Sequence, residues 1–256
     1  SSVPFEFYIG PNHFNTLKSY DSKYEKIIPL GGWLVGWFTR YAIIPMFNFF
    51  HKFISNFGII ILLMTIAIKI VVLPFAYKTY SSSAKTQAIK PELDKLNEKY
   101  PKPEDAMKKQ QAQMDLYRRA GINPMGGCLP MLLQFPILWA MFRFFPASIE
   151  LRQQSFLWAD DLSGYDSFID FGTRIPLIGD HISLFALLMA VSMFLYSRMN
   201  SAQMSGNDPN TQSMRFMSLW MMPIMMFFIC NSLASGLSYY YFLSNIITMI
   251  ETWAIK

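Results

Sequence analysis

Residues 56–77 read NFGIIILLMTIAIKIVVLPFAY, and the fold class turns on them. From Gly58 onward the run is apolar for about 20 residues, which at ~1.5 Å per residue matches a ~30 Å hydrocarbon core. One residue breaks the pattern. Lys69 lies roughly 16 Å into the helix, too deep for its ammonium to snorkel to either surface, and a charge at mid-bilayer costs about 2.5–3.5 kcal/mol on insertion scales. Thr65, one turn earlier, shares its face, whereas Ile60 is assigned to the lipid side. Pro74 cannot donate to the carbonyl of Ile70 and loosens the helix there. Such a lysine either pairs with a carboxylate or backbone carbonyls as a structural element, or faces a water-filled cavity inside the membrane. The second is the working expectation.

Composition agrees with a membrane setting. Of 256 residues, 52% are hydrophobic, 16% aromatic and only 15% charged, where a soluble domain carries about 25% charged residues. Several apolar runs of spanning length give the class: an all-α polytopic membrane protein. The net charge of +5 is no nucleic-acid signature, because the basic residues gather in one polar segment between spans, where they set orientation. Cys128 and Cys230 both fall in apolar runs and suggest neither a disulfide framework nor a metal site. Ser1 opens no cleavable signal sequence, so a fragment or a processed chain is expected.

In chain order, residues 1–32 are polar, with VPFEFYIG a candidate strand and PNHFNTLKSYD a turn into a short helix. They are expected to be the end of a soluble domain too small here to form a core of its own. Residues 33–55 are aromatic-rich but interrupted by Arg40, Asn48, His51 and Lys52. Trp33, Trp37 and Tyr41 fall on one helical side at headgroup level, which predicts an interfacial helix. The first span is placed at 56–77 and a charged segment at 78–122. Within that segment, helical patterns at about 81–100 and 104–119 flank Pro101-Lys102-Pro103, predicting a helical hairpin. Ile89, Leu93 and Leu96 mark a thin seam on one arm; Met107, Met114 and Leu116 mark a weaker one on the other. Lys85, Lys90, Lys95, Lys99, Lys108 and Lys109 place the hairpin in the cytoplasm.

Four more spans follow, at 123–147, 181–200, 213–232 and 236–255. Asn123-Pro124 starts the first of them, and Pro130 and Pro136 predict bends in it. Between them lie an acidic outer loop at 148–180 and a polar cytoplasmic turn at 201–212. Phe156 and Trp158 are expected to bring part of the outer loop to the interface. The N-terminal part is then outside and the C-terminus inside.

Polar residues within spans carry the functional question. Gln134 lies mid-membrane, and Tyr241, Ser244, Thr248 and Glu251 form a stripe at helical spacing with Tyr240 and Asn245 beside it. Such stripes serve helix packing or, with Thr65 and Lys69, line a shared hydrophilic concavity. Glu251 is expected to lie too far along to pair with Lys69. The methionines at 217, 221, 222, 225 and 226 suit either an adaptable core or a promiscuous surface for varied apolar segments. No nucleophile motif, HExxH or phosphate-cradling glycine loop occurs, so neither an enzyme nor a cofactor is expected. A small-solute channel or secondary transporter could use the same polar residues, although no internal repeat supports it; a structural assembly factor would tolerate their loss.

These residues resemble a known family. NFGIIILLMTIAIKIVVLPFAYKTYSSSAKTQAIKPEL, YRRAGINPMGGCLPMLLQFPILWAMF, SIELRQQSFLWADDLS and SGLSYYYFLSNIITMIE are similar, in order and spacing, to the bacterial YidC membrane protein insertases. NPMGGCLPMLLQFPI is the most specific piece, and FYIGPNHFNTLKSYD resembles the end of that family's periplasmic domain. The resemblance implies a five-helix core in the inner membrane with a hydrophilic groove open to cytoplasm and lipid. It implies insertion of client proteins without nucleotide hydrolysis. It also implies that the family's first anchor and most of its periplasmic domain are not in this chain. The groove would comprise Lys69, Thr65, Gln134, Tyr241, Tyr240 and Ser244, and the client-contacting apolar face Phe135, Leu138, Met222 and Met226. Lys69 stands where the family usually has arginine, so the charge is kept and the planar fork is lost. Implied partners are nascent membrane proteins, the ribosome, the Sec translocon and membrane lipids, with no direct contact to nucleic acid.

Overall fold

The computed structural model describes residues 7–20, 24–100, 106–121, 129–176, 178–201 and 209–255. The start of VPFEFYIG, the Pro101-Lys102-Pro103 turn, Asn123-Pro124 and most of the 201–212 turn lie outside them. The chain is mostly helical. Residues 7–10 form no strand, and α1 (Phe14–Lys18) follows. Leu17, Ile28 and Leu30 are buried in the main core, so this segment docks on the helices rather than forming a body of its own. His13 pairs with Glu150 at 3.1 Å, and Ser148 donates to the same carboxylate at 2.7 Å.

α2 (Trp33–Phe38) and α3 (Ile44–His51) are one helix joined by a π turn, Thr39–Ile43. Its cause is Pro45, whose ring would collide with the carbonyl of Tyr41 in a regular helix; the wider turn removes that demand. Trp33, Trp37 and Tyr41 share the exposed side, and Thr39, Ile43, Ile44 and Phe47 the buried one. Phe47 stacks on Phe57 at 5.9 Å and meets Phe144 edge-on at 5.3 Å.

α4 (Phe57–Ala88) runs unbroken through Pro74, well past the end of the apolar run at Tyr77. Phe57, Ile60, Ile61, Met64, Thr65, Ile68 and Lys69 are all buried, at spacings of three and four that make one continuous stripe. Ile60 is therefore a core residue, 0% exposed, which corrects its lipid-side assignment; the exposed residues of this stretch include Ile59, Ile66, Ile70 and Val71. Every residue near it is equally apolar, so only packing could separate the two faces.

The first hairpin arm is correspondingly shorter than 81–100. It breaks at Ile89, because Pro91 has no N–H for the carbonyl of Gln87 four residues back and its ring would collide with that carbonyl in a continuous helix, and α5 (Lys90–Lys99) begins after the break. α6 (Ala106–Arg119) packs against α5, while Met107 and Met114 stay exposed.

α7 (Leu129–Ala147) carries Pro136 and Pro146 inside. The outer loop holds an unexpected antiparallel hairpin, β1 (Ile169–Ile175) and β2 (Gly179–Ile182). α8 (Leu184–Ser201) follows. α9 (Pro209–Phe216) and α10 (Met222–Cys230) again form one helix across a π turn, Met217–Met221, two residues before Pro223. This helix is already formed at Pro209, inside the expected polar turn. α11 (Ser235–Ile255) is the centre of the bundle and packs on α8, α4 and α7.

Among the described residues, Phe57–Thr86 and Gln212–Cys230 are long and apolar enough to cross a membrane, and Leu184–Asn200 is a shorter apolar helix. Phe156 and Trp158 are half-buried and contact the bundle: Trp158 donates to Asp166 at 3.0 Å, and the Phe156 ring lies 5.1 Å from that of Tyr239. A β-carbon at Gly58 would fall 2.1 Å from the Phe156 ring. Gly58→Ala is accordingly expected to destabilise by about 1–3 kcal/mol, as overpacking does, read as a lower thermal midpoint in detergent.

Candidate functional site

The buried stripe of α4 meets the polar stripe of α11. Lys69 is 8% exposed, and its Nζ donates to Thr248 Oγ1 at 2.7 Å. Thr248 can accept because its own proton goes to the carbonyl of Ser244 at 2.7 Å. Thr65, 0% exposed, donates to the carbonyl of Ile61 at 2.7 Å, and Thr252 to that of Thr248 at 2.6 Å. Tyr80, eleven residues past Lys69 on the same face of α4, closes the seam with a short hydrogen bond to Thr252.

Two consequences follow from this pattern. Among the described residues, only the Lys69–Thr248 and Tyr80–Thr252 bonds tie α4 to α11 through side-chain polar groups. The threonine protons are satisfied within their own helices, so separating the two helices strands no threonine donor and leaves only the Lys69 ammonium and the Tyr80 hydroxyl to find new acceptors. The seam is closed, but cheaply.

The remaining expected groove residues are distributed around α11. Gln134, on α7, is the hydrogen-bonding neighbour of the Tyr240 hydroxyl, and Tyr240 is 1% exposed. Ser244 is buried at 3% exposure. Tyr241 is half-buried and packs against both the main core and the cluster of Ala186, Met189 and Cys230 on the α8 and α10 side. Lys69 and Thr248 thus meet at the α4–α11 seam, with Ser244 and Tyr240 one and two turns earlier on the same line of α11 and Gln134 beside Tyr240. Asn245 joins α11 to α8 by donating to Ser192 at 3.1 Å.

Glu251 closes no ion pair with Lys69, as its position along α11 led one to expect, yet the two charges are coupled across the seam. Glu251 also interacts with Tyr80 and Tyr196 at the same end of the bundle. Tyr80 and Thr252 are members of this site that the sequence reading passed over. Thr252 is one turn beyond Thr248, so the i, i+4 series Ser244, Thr248, Thr252 was there to be found.

Outside the seam, Phe135 and Met222 are exposed, with Leu138 and Met226 half-buried. In the hairpin, Lys85, Lys95, Lys99 and Lys108 are exposed and Lys109 half-buried. The side chain of Lys90 is outside the described ones. No group of three or more His, Cys, Asp or Glu among the described residues is placed to hold a metal ion.

Comparison with known proteins adds the context. Residues 49–256 match the family described as 60Kd inner membrane protein. A relative from Parabacteroides distasonis, named membrane protein insertase YidC, is 47% identical over 274 residues, covering 98% of this chain and 43% of that protein. One of the same name from Bacteroides fragilis is 50% identical over 251 residues, covering 95% of this chain and 40% of the other. A third, from Amoebophilus asiaticus, is 47% identical over 254 residues, covering 98% and 41%. The chain thus spans about two fifths of the length of these relatives. A crystal structure of an active YidC insertase, with its first transmembrane domain resolved, superposes with a TM-score of 0.60 at 23% identity over 95% of this chain and 54% of that one. The two share a fold.

Proposed function

This chain belongs to the 60Kd inner membrane protein family, and we propose that it is the membrane-embedded core of an insertase that places and folds client proteins in the bacterial inner membrane. Its five apolar helices would span, with the N-terminal part outside and the C-terminus in the cytoplasm. The α4–α11 seam would open toward cytoplasm and lipid as the client groove. One observation carries this reading: a buried lysine at mid-span, held by a single hydrogen bond, in a seam whose threonine protons need no partner across it.

The physical logic is a lowered barrier. A polar client tail entering a wet groove avoids the several kcal/mol that each unsatisfied polar group costs in hydrocarbon. Lys69 draws acidic residues of that tail more strongly than bulk water would allow, because the site is partly desolvated. The client's apolar segment slides along Phe135, Leu138, Met222 and Met226 into lipid. Burial of that segment drives the step, and no nucleotide is spent. The basic hairpin α5–α6 would meet the ribosome, the Sec translocon and emerging clients. The relatives quoted are named insertases, which lends the channel and transporter reading no support.

Disulfide capture of a ribosome-stalled single-span client tests the groove. Thr65→Cys is the reporter, since a fully buried position has no room for a bulky photoprobe, and Val71→Cys is the lipid-facing control, with Cys128 and Cys230 replaced by alanine. Adducts at position 65 that rise and fall with client length are expected. Adducts at position 71 alone would show that clients pass outside the seam, and the groove would be withdrawn.

A further inference from the structure

The outer loop holds a leucine in a backbone conformation that leucine resists. Leu157 has a φ of 55°. Phe156 N–H donates to the carbonyl of Ala159 at 2.9 Å, and Ala159 N–H returns to that of Phe156 at 3.0 Å. These bonds close a two-residue turn over Leu157-Trp158. The first central position of such a turn, at positive φ, favours glycine, because an L side chain there crowds the carbonyl.

The flanking side chains fix the turn. Trp158 faces inward, bonded to Asp166, its ring 4.4 Å from that of Phe185. Phe156 covers Gly58 and contacts Tyr239. With both aromatics fastened, Leu157 is turned out and is 70% exposed. The backbone thus bears strain to display an apolar side chain that packs on little of this chain, and strain of that kind marks functional positions.

The location indicates what covers it. Phe156 against Gly58 puts the turn beside the first turn of α4, the longest apolar helix, just past Asn56, whose side chain accepts the Ile59 N–H at 3.2 Å. Phe53, 74% exposed, lies three residues before that cap, and Ile59, 42% exposed, three residues after it. Exposed apolar side chains therefore cluster along the chain at the level where α4 enters the hydrocarbon, continuous with its own lipid-facing side. We propose that Leu157 inserts into the lipid surface at the outer headgroup–acyl boundary and seats the α7–α8 loop on the membrane. The proposal holds independently of the insertase reading.

The test labels Leu157→Cys with an environment-sensitive fluorophore in the full-length protein. Cys128 and Cys230 are replaced by alanine, and the protein is reconstituted in phosphatidylcholine–phosphatidylglycerol vesicles. A blue-shifted emission is expected, quenched more by lipids spin-labelled near the headgroup than by those labelled deep in the chain, and little by aqueous iodide. Dominant iodide quenching puts the turn in water and overturns the proposal. Protection from both quenchers, the result if another protein or a second copy covers the turn, overturns it as well. Leu157→Gly supplies an unlabelled check: in detergent its thermal midpoint is expected to hold or rise as the strain is relieved. A fall would mean that Leu157 packs within the protein, against the proposal.

Discussion

Lys69→Ala is expected to slow insertion of clients with acidic outer tails by about tenfold, the rate equivalent of ~1.4 kcal/mol. Lys69→Glu should all but stop it. The magnitude follows from the site. Two unit charges 4 Å apart attract by about 4 kcal/mol at an effective dielectric of ~20, and some of that is returned in desolvating the client's carboxylate. Reversing the sign converts the attraction to a repulsion of similar size. Glu251, already coupled to Lys69, would then add a second negative charge to the seam. Clients with neutral or basic tails are expected to change little, and Lys69→Arg to retain activity, since Thr248 can accept from either cation. The measurement is the time course of protease protection for paired clients that differ only in tail charge. Equal rates for both clients in Lys69→Glu would remove the charge from the mechanism.

The second large effect is on stability, at a site remote from the seam. Asp166 is 1% exposed and accepts the N–H groups of Leu184 at 2.9 Å and Phe185 at 3.1 Å, the indole of Trp158 at 3.0 Å, and the hydroxyl of Ser183. Ser183 accepts the next N–H of α8, from Ala186, at 3.0 Å through its hydroxyl, and its carbonyl accepts that of Leu187 at 3.1 Å. The N–H groups of Leu184, Phe185 and Ala186, which a helix start leaves unpaired, are thereby satisfied, and that of Ser183 goes to the Asn231 side chain at 2.8 Å. Asp166→Ala strands several at once, and a loss of about 3–5 kcal/mol is expected from buried donors left without acceptors. Asp166→Asn, which keeps one acceptor oxygen, should lose less. Thermal unfolding in detergent reads both; equal midpoints for Asp166→Ala and the parent chain would mean that water replaces the carboxylate.

Much of this architecture was legible in the residues, and its gaps have identifiable causes. Hydropathy found α4 and singled out Lys69, and spacing found the exposed face of Trp33, Trp37 and Tyr41. Hydropathy also ended the span at Tyr77, because it registers where apolarity stops. The helix itself runs on to Ala88 through residues that are merely compatible with it. A uniform run of isoleucines carries no sidedness, so Ile60 could not be told from Ile59. The ties that close the bundle join residues far apart in the chain, Tyr80 with Thr252 and Asp166 with Ser183, and no local periodicity encodes them. Asn231 is the same kind of case. Its side chain bonds the carbonyls of Ile178 and His181 and the N–H of Ser183, each within 2.9 Å. It holds the β-hairpin to the α10–α11 turn from the end of a stretch whose hydropathy reads only as the fourth span.

The central position of α11 has a bearing on how the protein is made. α4, α7 and α8 all precede it in the chain, so a ribosome delivers them first. Until α11 arrives, Lys69 lacks the hydroxyl of Thr248, Tyr80 lacks that of Thr252, and Gln134 lacks Tyr240 as a neighbour. The bundle therefore waits half-built in the bilayer, its polar face uncovered, for the helix that is synthesised after the rest. An element that closes around its own late-arriving strip of polar residues is in the same physical predicament as the client it would later receive.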